Sequence, residues 1–271
     1  MVELISEIGI NANGDISIAK KLIDVSATAG CQYVKFQKRD IHLVYTEEEL
    51  AVKRESPFGH TNGDLKRGLE FNEDDYKELD RYCSQRGIGW FASPWDVNSV
   101  EFLSNFPKCK FLKIPSALLT NNELLLSCLN TEKPIILSTG MSTKEEISYA
   151  VRVLGSRLYC IMHCTSTYPS KPEELNLRCI QGLSYTGAKL GFSNHSPGLI
   201  YMPVAVALGA EMIEFHITLD RSMWGSDQSS SIEPEGVMKL VKWVGGVEAA
   251  LGDGQKVVYP SEIPIMKKLR R

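Results

Sequence analysis

Lys189-Leu-Gly-Phe-Ser-Asn-His195 and Met212-Ile-Glu-Phe-His-Ile-Thr218 are short apolar runs that close on hydroxyl and imidazole groups, and a helical segment ending at Gly209 separates them. Working outward, six more runs of the same kind precede them: Glu3 to Ile10, Tyr33 to Gln37, Gly89 to Pro94, Phe111 to Ile114, Pro134 to Thr139 and Leu158 to Cys164. Nearly every run stops on or beside a residue able to bind, protonate or coordinate: Glu7 and Asn11, Lys35 and Gln37, Ser93, Lys113 and Ser116, Ser138 and Thr139, and His163. Strand and helix alternating, with chemistry at the strand exits, predicts a (β/α)8 TIM barrel, whose site is built at the C-terminal rim. The expectation is an enzyme in which residues 1–271 form one barrel domain, since such barrels commonly occupy about 250 residues.

Between the runs, Ile18, Leu22, Val25 and Ala29 recur at the spacing of one helix face, and Gly30 follows where a helix end favours a left-handed residue. Gly87, Gly155 and Gly209 close further helical segments in the same way, and Ser142 with Glu145 reads as a capping box that starts the helix after the fifth run. Two connections are too long for plain turns. Lys38 to Asn72 and Leu219 to Glu235 both leave the rim, where long segments serve as lids, binding loops or subunit contacts.

Composition narrows the function classes. Hydrophobic residues make up 43% of 271, ample for a core, and a net charge of −3 supplies no broad basic field for a nucleic-acid backbone or an anionic membrane. No apolar stretch approaches the roughly 20 residues of a membrane span, and no secretory leader pattern is present, so a cytoplasmic protein is expected. Seven cysteines without a metal-type pair read as reduced, mostly buried thiols.

Of five histidines, His163, His195 and His216 fall at or near the ends of the last three runs, which a barrel makes neighbours. Imidazole nitrogens at His195 and His216 suit a divalent ion such as Mn, Fe or Zn with positions left open for Lewis-acid work. His163 lies deeper and reads as an ordinary hydrogen-bonding histidine. Lys35 and Lys113 interrupt apolar runs; a lysine facing a barrel interior is costly without an anion, and a phosphate suits it with Ser93, Ser116 and Ser193 nearby. Schiff-base chemistry by either lysine is the competing reading. Glu7, also mid-run, must be paired or have its pKa raised, and serves as a general base or as a lysine's partner. Gln37, Tyr168 and Asp227 read as groups for a hydroxylated substrate.

Seven ordered motifs, Glu7-Ile-Gly-Ile-Asn-Ala-Asn-Gly-Asp15, Val34-Lys-Phe-Gln37, Lys113-Ile-Pro-Ser116, Ile136-Leu-Ser-Thr-Gly-Met141, His163-Cys-Thr-Ser-Thr-Tyr-Pro169, Gly191-Phe-Ser-Asn-His195 and Glu214-Phe-His-Ile-Thr218, resemble those of sialic acid synthases over essentially the whole chain. The resemblance implies metal-dependent condensation of phosphoenolpyruvate with an N-acetylmannosamine-like amino-sugar aldose, giving a nonulosonic 3-deoxy-2-keto acid and phosphate. It implies Mn2+ or Mg2+ on His195 and His216. It places phosphoenolpyruvate on Lys113, Ser116, Ser193 and Ser93 with Lys35 nearby, the sugar on Gln37, Tyr168 and Asp227, and proton management on Glu7. A homodimer is expected by the same resemblance, with exposed apolar positions near Trp90 or Trp243 as candidate contacts. The chain departs from the family pattern at Ala12, usually His, and at Leu118, near where a carboxylate is usual. Ser166 stands where Asn is common and keeps a hydrogen-bonding group for substrate. The C-terminal antifreeze-like domain of long members is expected to be absent, the chain stopping at Lys267-Lys-Leu-Arg-Arg271.

Two other readings compete. A phosphorylated aldose would need its own basic site, for which Arg39, Arg54 and Arg221 are candidates. A barrel that has lost the acidic counterpart of Leu118 and survives as a non-catalytic binding or regulatory protein would have no physical need for a buried metal site and a buried phosphate site together.

Overall fold

The computed structural model describes residues 1–270. Parallel strands β1 (Glu3–Glu7), β2 (Tyr33–Lys38), β3 (Gly89–Pro94), β4 (Cys109–Ile114), β5 (Ile135–Ser138), β6 (Leu158–Cys164), β7 (Lys189–Asn194) and β8 (Met212–His216) close into a barrel in chain order, with β8 pairing back onto β1. Parallel strands covered on both faces read as continuous apolar runs rather than alternating ones. All eight runs are strands for that reason. The first and last stop early: Gly9–Ala12 is a 3-10 turn entered at Gly9 with φ +47°, and Ile217 makes only an isolated bridge to Ile232 after β8 ends.

Alternate strand residues share a face, so the barrel interior is stacked in layers. Tyr33, Phe91, Phe111 and Tyr159 fill one layer, Tyr33 and Phe91 meeting Phe111 edge-on at 5.4 Å and Tyr159 stacking on it at 4.9 Å. Phe91 and Phe111 are fully buried, each stabilising the fold by roughly 1.5–3 kcal/mol, and the half-buried Tyr33 and Tyr159 complete the layer beneath the rim. Two residues further along the same strands stand Lys35, Ser93 and Lys113.

Helices wrap the outside. Ile16–Ala29 begins at Asp15, whose carboxylate accepts from the backbone N–H groups of Ser17 and Ile18, and ends at left-handed Gly30; its Leu22 is fully buried. Gly87 ends the helix Glu73–Arg86 similarly, whereas Gly155 adopts φ +50°, ψ −130°, and Gly209 lies one residue past the Leu208 cap. The box expected from Ser142 and Glu145 is instead formed by Thr143 and Glu146, and the helix is Lys144–Leu154. Successive glutamates let both pairs satisfy the pattern, and the backbone uses the second. Trp90 is not an exposed contact residue: it is fully buried, and its indole N–H donates to Asp80 at 2.7 Å. Trp243 is exposed.

The connection from Lys38 to Asn72 is well structured. It carries helices Ile41–Val44, Glu47–Ala51 and Asn62–Leu69, and a hairpin pairing Lys53–Ser56 with Gly59–Thr61. Its Phe58 meets Trp224 of the Leu219 to Glu235 loop edge-on at 6.1 Å, so the two long connections touch above the barrel mouth. Six cysteines are buried and Cys179 is exposed. Among the described residues, no helix is long and apolar enough to cross a membrane.

Candidate active site

Strand register assembles the site. Glu7 pairs with Lys35 on one side and His216 on the other, Glu214 with Ser193, and Gln37 with Ser93. Period-two alternation then aims Lys35 and Gln37, Ser193 and His195, and Glu214 and His216 into one mouth. They line a cavity of about 160 Å³ together with Glu7, Ser93, Lys113, Ser116, Ser138, Ser166 and Tyr168. Of the residues given catalytic, substrate-binding or metal roles from the sequence, only Asp227 lies outside it, in an adjoining cavity of about 220 Å³ that shares Gln37, Trp95, Tyr168 and His216. A roomier groove of about 900 Å³ between helix Lys144–Leu154 and the segment 163–185 is mainly apolar. Converging charge, rather than volume, identifies the smaller cavity as the site.

Its floor is a four-charge network. Glu214 receives Lys113 in a short ion pair and Lys35 at 3.7 Å, and the hydroxyl of Ser193 donates to it at 3.1 Å. Glu7 lies 2.9 Å from the Lys35 ammonium through Oε2 and accepts from the Gln37 amide at 2.7 Å through Oε1. The Lys35 contact is close but not aligned as a hydrogen bond; Lys35 donates instead to the Ser93 hydroxyl at 3.2 Å. Burial alone would push the Glu214 carboxyl up, yet Lys113 and Lys35 outweigh it and hold that group well below the usual carboxylate range. Burial pulls Lys113 down despite Glu214, with the Lys35 charge adding to the effect. Lys35 also suffers burial, but with Glu214 and Glu7 both facing it the balance is upward. Gly9 is required here: a Cβ on it would come within 2.8 Å of Glu7 Oε1, in a backbone with positive φ.

Several polar atoms in this mouth lack partners. Glu7 Oε2, Glu214 Oε2, the Ser138 hydroxyl, the Trp95 indole N–H and His216 Nδ1 are buried without a hydrogen bond among the described residues. Buried polar groups are normally satisfied, so this concentration marks a ligand site. The Ser116 hydroxyl is engaged by the Gly140 N–H at 3.0 Å and lies 3.1 Å from the Cys164 thiol.

At the rim, His195 and His216 stand with ring centroids 5.6 Å apart. His195 Nδ1 is 2.7 Å from the Thr165 carbonyl and must donate to it, which leaves an Nε2 lone pair that accepts from the Tyr168 hydroxyl at 2.9 Å. Burial, then the neighbouring His216, push His195 down to about 3, so the ring is neutral. His216 Nδ1 lies 3.6 Å from Asp227, too far for a hydrogen bond. A carbonyl-oriented imidazole whose Nε2 lone pair is met only by the Tyr168 hydroxyl, beside a second, under-satisfied imidazole, fits a divalent ion. No cluster of three or more His, Cys, Asp or Glu suited to a metal occurs among the described residues, so the protein donors would be these two rings.

His163 takes no part: it is 2.7 Å from the Leu175 carbonyl and stacks near Phe192, the ordinary role expected of it. Arg54 and Arg221 line neither cavity. Arg221 instead donates to the Ser231 carbonyl at 2.8 Å. Glu214 and Trp95 carry no role in the sequence reading, and Ser138 appears there only as a strand end. Glu214 carried the same signal as the lysines, a charge inside the apolar run Met212-Ile-Glu-Phe-His216.

Comparison with known families gives a match to the NeuB family over residues 22–256. This chain belongs to that family, the sialic acid synthases. Human N-acetylneuraminate-9-phosphate synthase is 37% identical over 98% of this chain and 76% of its own length. N,N'-diacetyllegionaminic acid synthase of Legionella pneumophila is 34% identical over 99% of this chain and 78% of its own length. The crystal structure of N-acetylneuraminic acid synthetase from Leptospira borgpetersenii serovar Hardjo-bovis, in complex with citrate, superposes with a TM-score of 0.84 at 32% identity, covering 100% of this chain and 93% of that one. The NeuB member described here is accordingly a phosphoenolpyruvate-dependent, carbon–carbon bond-forming enzyme of the sialic acid synthase type.

Proposed function

We propose that this enzyme condenses phosphoenolpyruvate with the open-chain aldehyde of an N-acetylmannosamine-type sugar, giving a nonulosonic 3-deoxy-2-keto acid and phosphate. The observation that carries the reading is the convergence of Lys35, Lys113 and unpartnered hydroxyl and carboxylate groups beside an imidazole pair in one cavity. Lys113, Lys35, Ser116, Ser138, Ser193 and Ser93 hold the phosphate and carboxylate of the enol ester through charge-assisted hydrogen bonds. As Lys113 turns to the anion, Glu214 keeps its charge balanced by Lys35.

His195 and His216 hold a divalent cation, Mn2+ or Mg2+. When bound, it supplies Lewis acidity toward an aldehyde oxygen and positive charge to a cavity whose two lysines and two glutamates otherwise cancel. Carbon 3 of the enol ester adds to the aldehyde carbon, water adds at carbon 2, and the resulting hemiketal phosphate expels phosphate by carbon–oxygen cleavage. Glu7, whose Oε2 faces the Lys35 ammonium and makes no hydrogen bond, accepts the proton from that water. Glu7 and Glu214 are the cavity's carboxylates, so proton transfer needs no acidic group at Leu118. Gln37, Tyr168, Ser166 and Asp227 orient the sugar. A homodimer, with Trp243 as a candidate contact, completes the proposal.

The test uses phosphoenolpyruvate carrying 18O in the bridging position, with Mn2+ and a panel of aldoses. Label in the released phosphate and a nine-carbon keto acid by mass spectrometry are expected. Label kept in the organic product, or no phosphate with any aldose, would refute the reading.

A further inference from the structure

Ser116 belongs to the short 3-10 turn Ser116–Leu118 that follows β4, so no strand ladder fixes where its side chain points. Its hydroxyl is gripped instead from the exits of the next two strands. The Gly140 N–H donates to the Ser116 oxygen at 3.0 Å, and the Cys164 sulfur lies 3.1 Å from it. One clamp holds both partners: Thr139 donates to the Met162 carbonyl through its backbone N–H and through its hydroxyl, each at 3.0 Å. That ties the residue before Gly140 to the strand that ends in Cys164. Only glycine fits at the centre, since a Cβ on Gly140 would stand 2.9 Å from the Cys164 sulfur and 3.0 Å from the Ser116 oxygen.

A serine hydroxyl has one proton to give and two lone pairs to receive. Gly140 occupies one lone pair. If the Ser116 proton goes to sulfur, nothing is left for a ligand. If the Cys164 thiol is the donor, it fills the second lone pair and leaves the Ser116 O–H free to point into the cavity. Cys164 and Ser116 both line that cavity with Lys113, and the Ser138 hydroxyl, 3% exposed, stands there without a partner among the described residues. An unpaired buried hydroxyl beside an ammonium group marks where the oxygens of an anion would lie. An anion there rewards the second arrangement over the first.

We propose that Cys164 is a positioning residue for phosphoenolpyruvate binding: its thiol donates to Ser116 and so turns the serine hydroxyl proton toward the phosphate of the substrate. The sulfur forms no covalent bond and touches no substrate in this role. The inference rests on the reading given above that the phosphate lies on Lys113 and Ser116. Because hydrogen bonds in series polarise one another, the thiol also strengthens the bond that Ser116 makes. A thiol suits the position. It fills a strand end that is 5% exposed as a small hydrophobe does, and still carries a weak donor.

The experiment measures the dissociation constant of phosphoenolpyruvate by calorimetry, with Mn2+ and no aldose, in the native enzyme, Cys164→Ala, Cys164→Ser, Ser116→Ala and the double variant Ser116→Ala/Cys164→Ala. Cys164→Ala should weaken binding about 3- to 10-fold, the range of one neutral hydrogen bond, and Cys164→Ser, which keeps a donor, should recover most of that loss. Once Ser116 is alanine, removing the thiol should cost nothing further. Native affinity in Cys164→Ala, a loss that Cys164→Ser does not recover, or an equal loss with and without Ser116 overturns the positioning role while leaving the placement of the phosphate intact. Native affinity in Ser116→Ala overturns that placement and the positioning role together. Infrared difference spectra between native enzyme and Cys164→Ser isolate the Cys164 S–H stretch without reference to affinity. It should move to lower frequency when phosphoenolpyruvate is added, and an unshifted band overturns the role of the thiol as donor.

Discussion

The two adjoining cavities are built differently. The one holding Lys35, Lys113, Glu7 and Glu214 is made from barrel strands, with positions set by backbone register and alternation. The one holding Arg39, Lys66 and Asp227 is made largely from two loops that meet at Phe58 and Trp224. The first has two buried positive and two buried negative groups in one ion-pair network, whereas in the second Arg39 is paired with Glu70 and Lys66 makes no ion pair among the described residues. Strands are suited to fixing the invariant chemistry of one substrate and loops to choosing its partner.

Substitutions can test that division. The largest effect is expected for His216→Ala, which removes one of the two imidazoles: phosphate release should fall at least about a thousandfold, equivalent to several kcal/mol of lost charge stabilisation. A Mn2+ titration curve like that of the native enzyme would refute the assignment. Next comes Lys113→Ala, which should raise the KM for phosphoenolpyruvate about 10- to 100-fold, with little change in the KM for the aldose. Equal changes in both would erase the distinction between the cavities.

Gln37 sharpens the comparison because it joins them, donating to Glu7 on one side and accepting from Arg39 on the other. Gln37→Ala should raise the aldose KM roughly tenfold, about one hydrogen bond, and the phosphoenolpyruvate KM by less. An unchanged acceptor profile in steady-state kinetics would remove it from the sugar site.

The smallest effect belongs to a histidine of the barrel wall that neither cavity uses for chemistry. Burial pulls His163 below its ordinary value of 6.5, against the opposing effect of the Leu175 carbonyl. As pH falls through about 6.5 the unfolded chain takes up a proton that the folded one resists, so stability declines toward lower pH, by at most about 1.4 kcal/mol per pH unit, and this contribution is constant above that window. His163→Gln keeps a donor for Leu175 and removes this contribution, leaving a shallower slope from His195, which burial also holds low. Urea unfolding at pH 7.5 and 5.5 measures it; the same pH dependence in variant and native protein would refute the account.

The same division explains what could be read from the sequence. All eight strands were legible because burial on both faces writes continuous apolar runs, and Lys35, Lys113 and Glu7 stood out as charges within them. Glu214 is equally anomalous, a charge inside Met212-Ile-Glu-Phe-His216, but the neighbouring imidazole is the more conspicuous signal. Ser138 was noted only as a strand end, because a small hydroxyl breaks no apolar pattern and its significance lies in having no partner. The loop-borne residues left no periodic trace: Arg39 was weighed alongside Arg54 and Arg221, and only the fold separates it from them. Lys66 leaves no trace at all, since a charge on a short helix is the ordinary case until a cavity is seen beside it. The shift of the capping box from Ser142 to Thr143 has a similar origin, two local patterns of equal merit decided by tertiary context.

The internal cancellation of Lys35, Lys113, Glu7 and Glu214 has a kinetic consequence at long range. With a net charge of −3 and its lysines masked by carboxylates, the enzyme offers an approaching trianion no attractive field from afar. Capture must wait until the anion is within the mouth. Added salt should then hasten encounter slightly by screening repulsion, and leave residence largely untouched, because contacts inside the barrel lie beyond the reach of mobile ions.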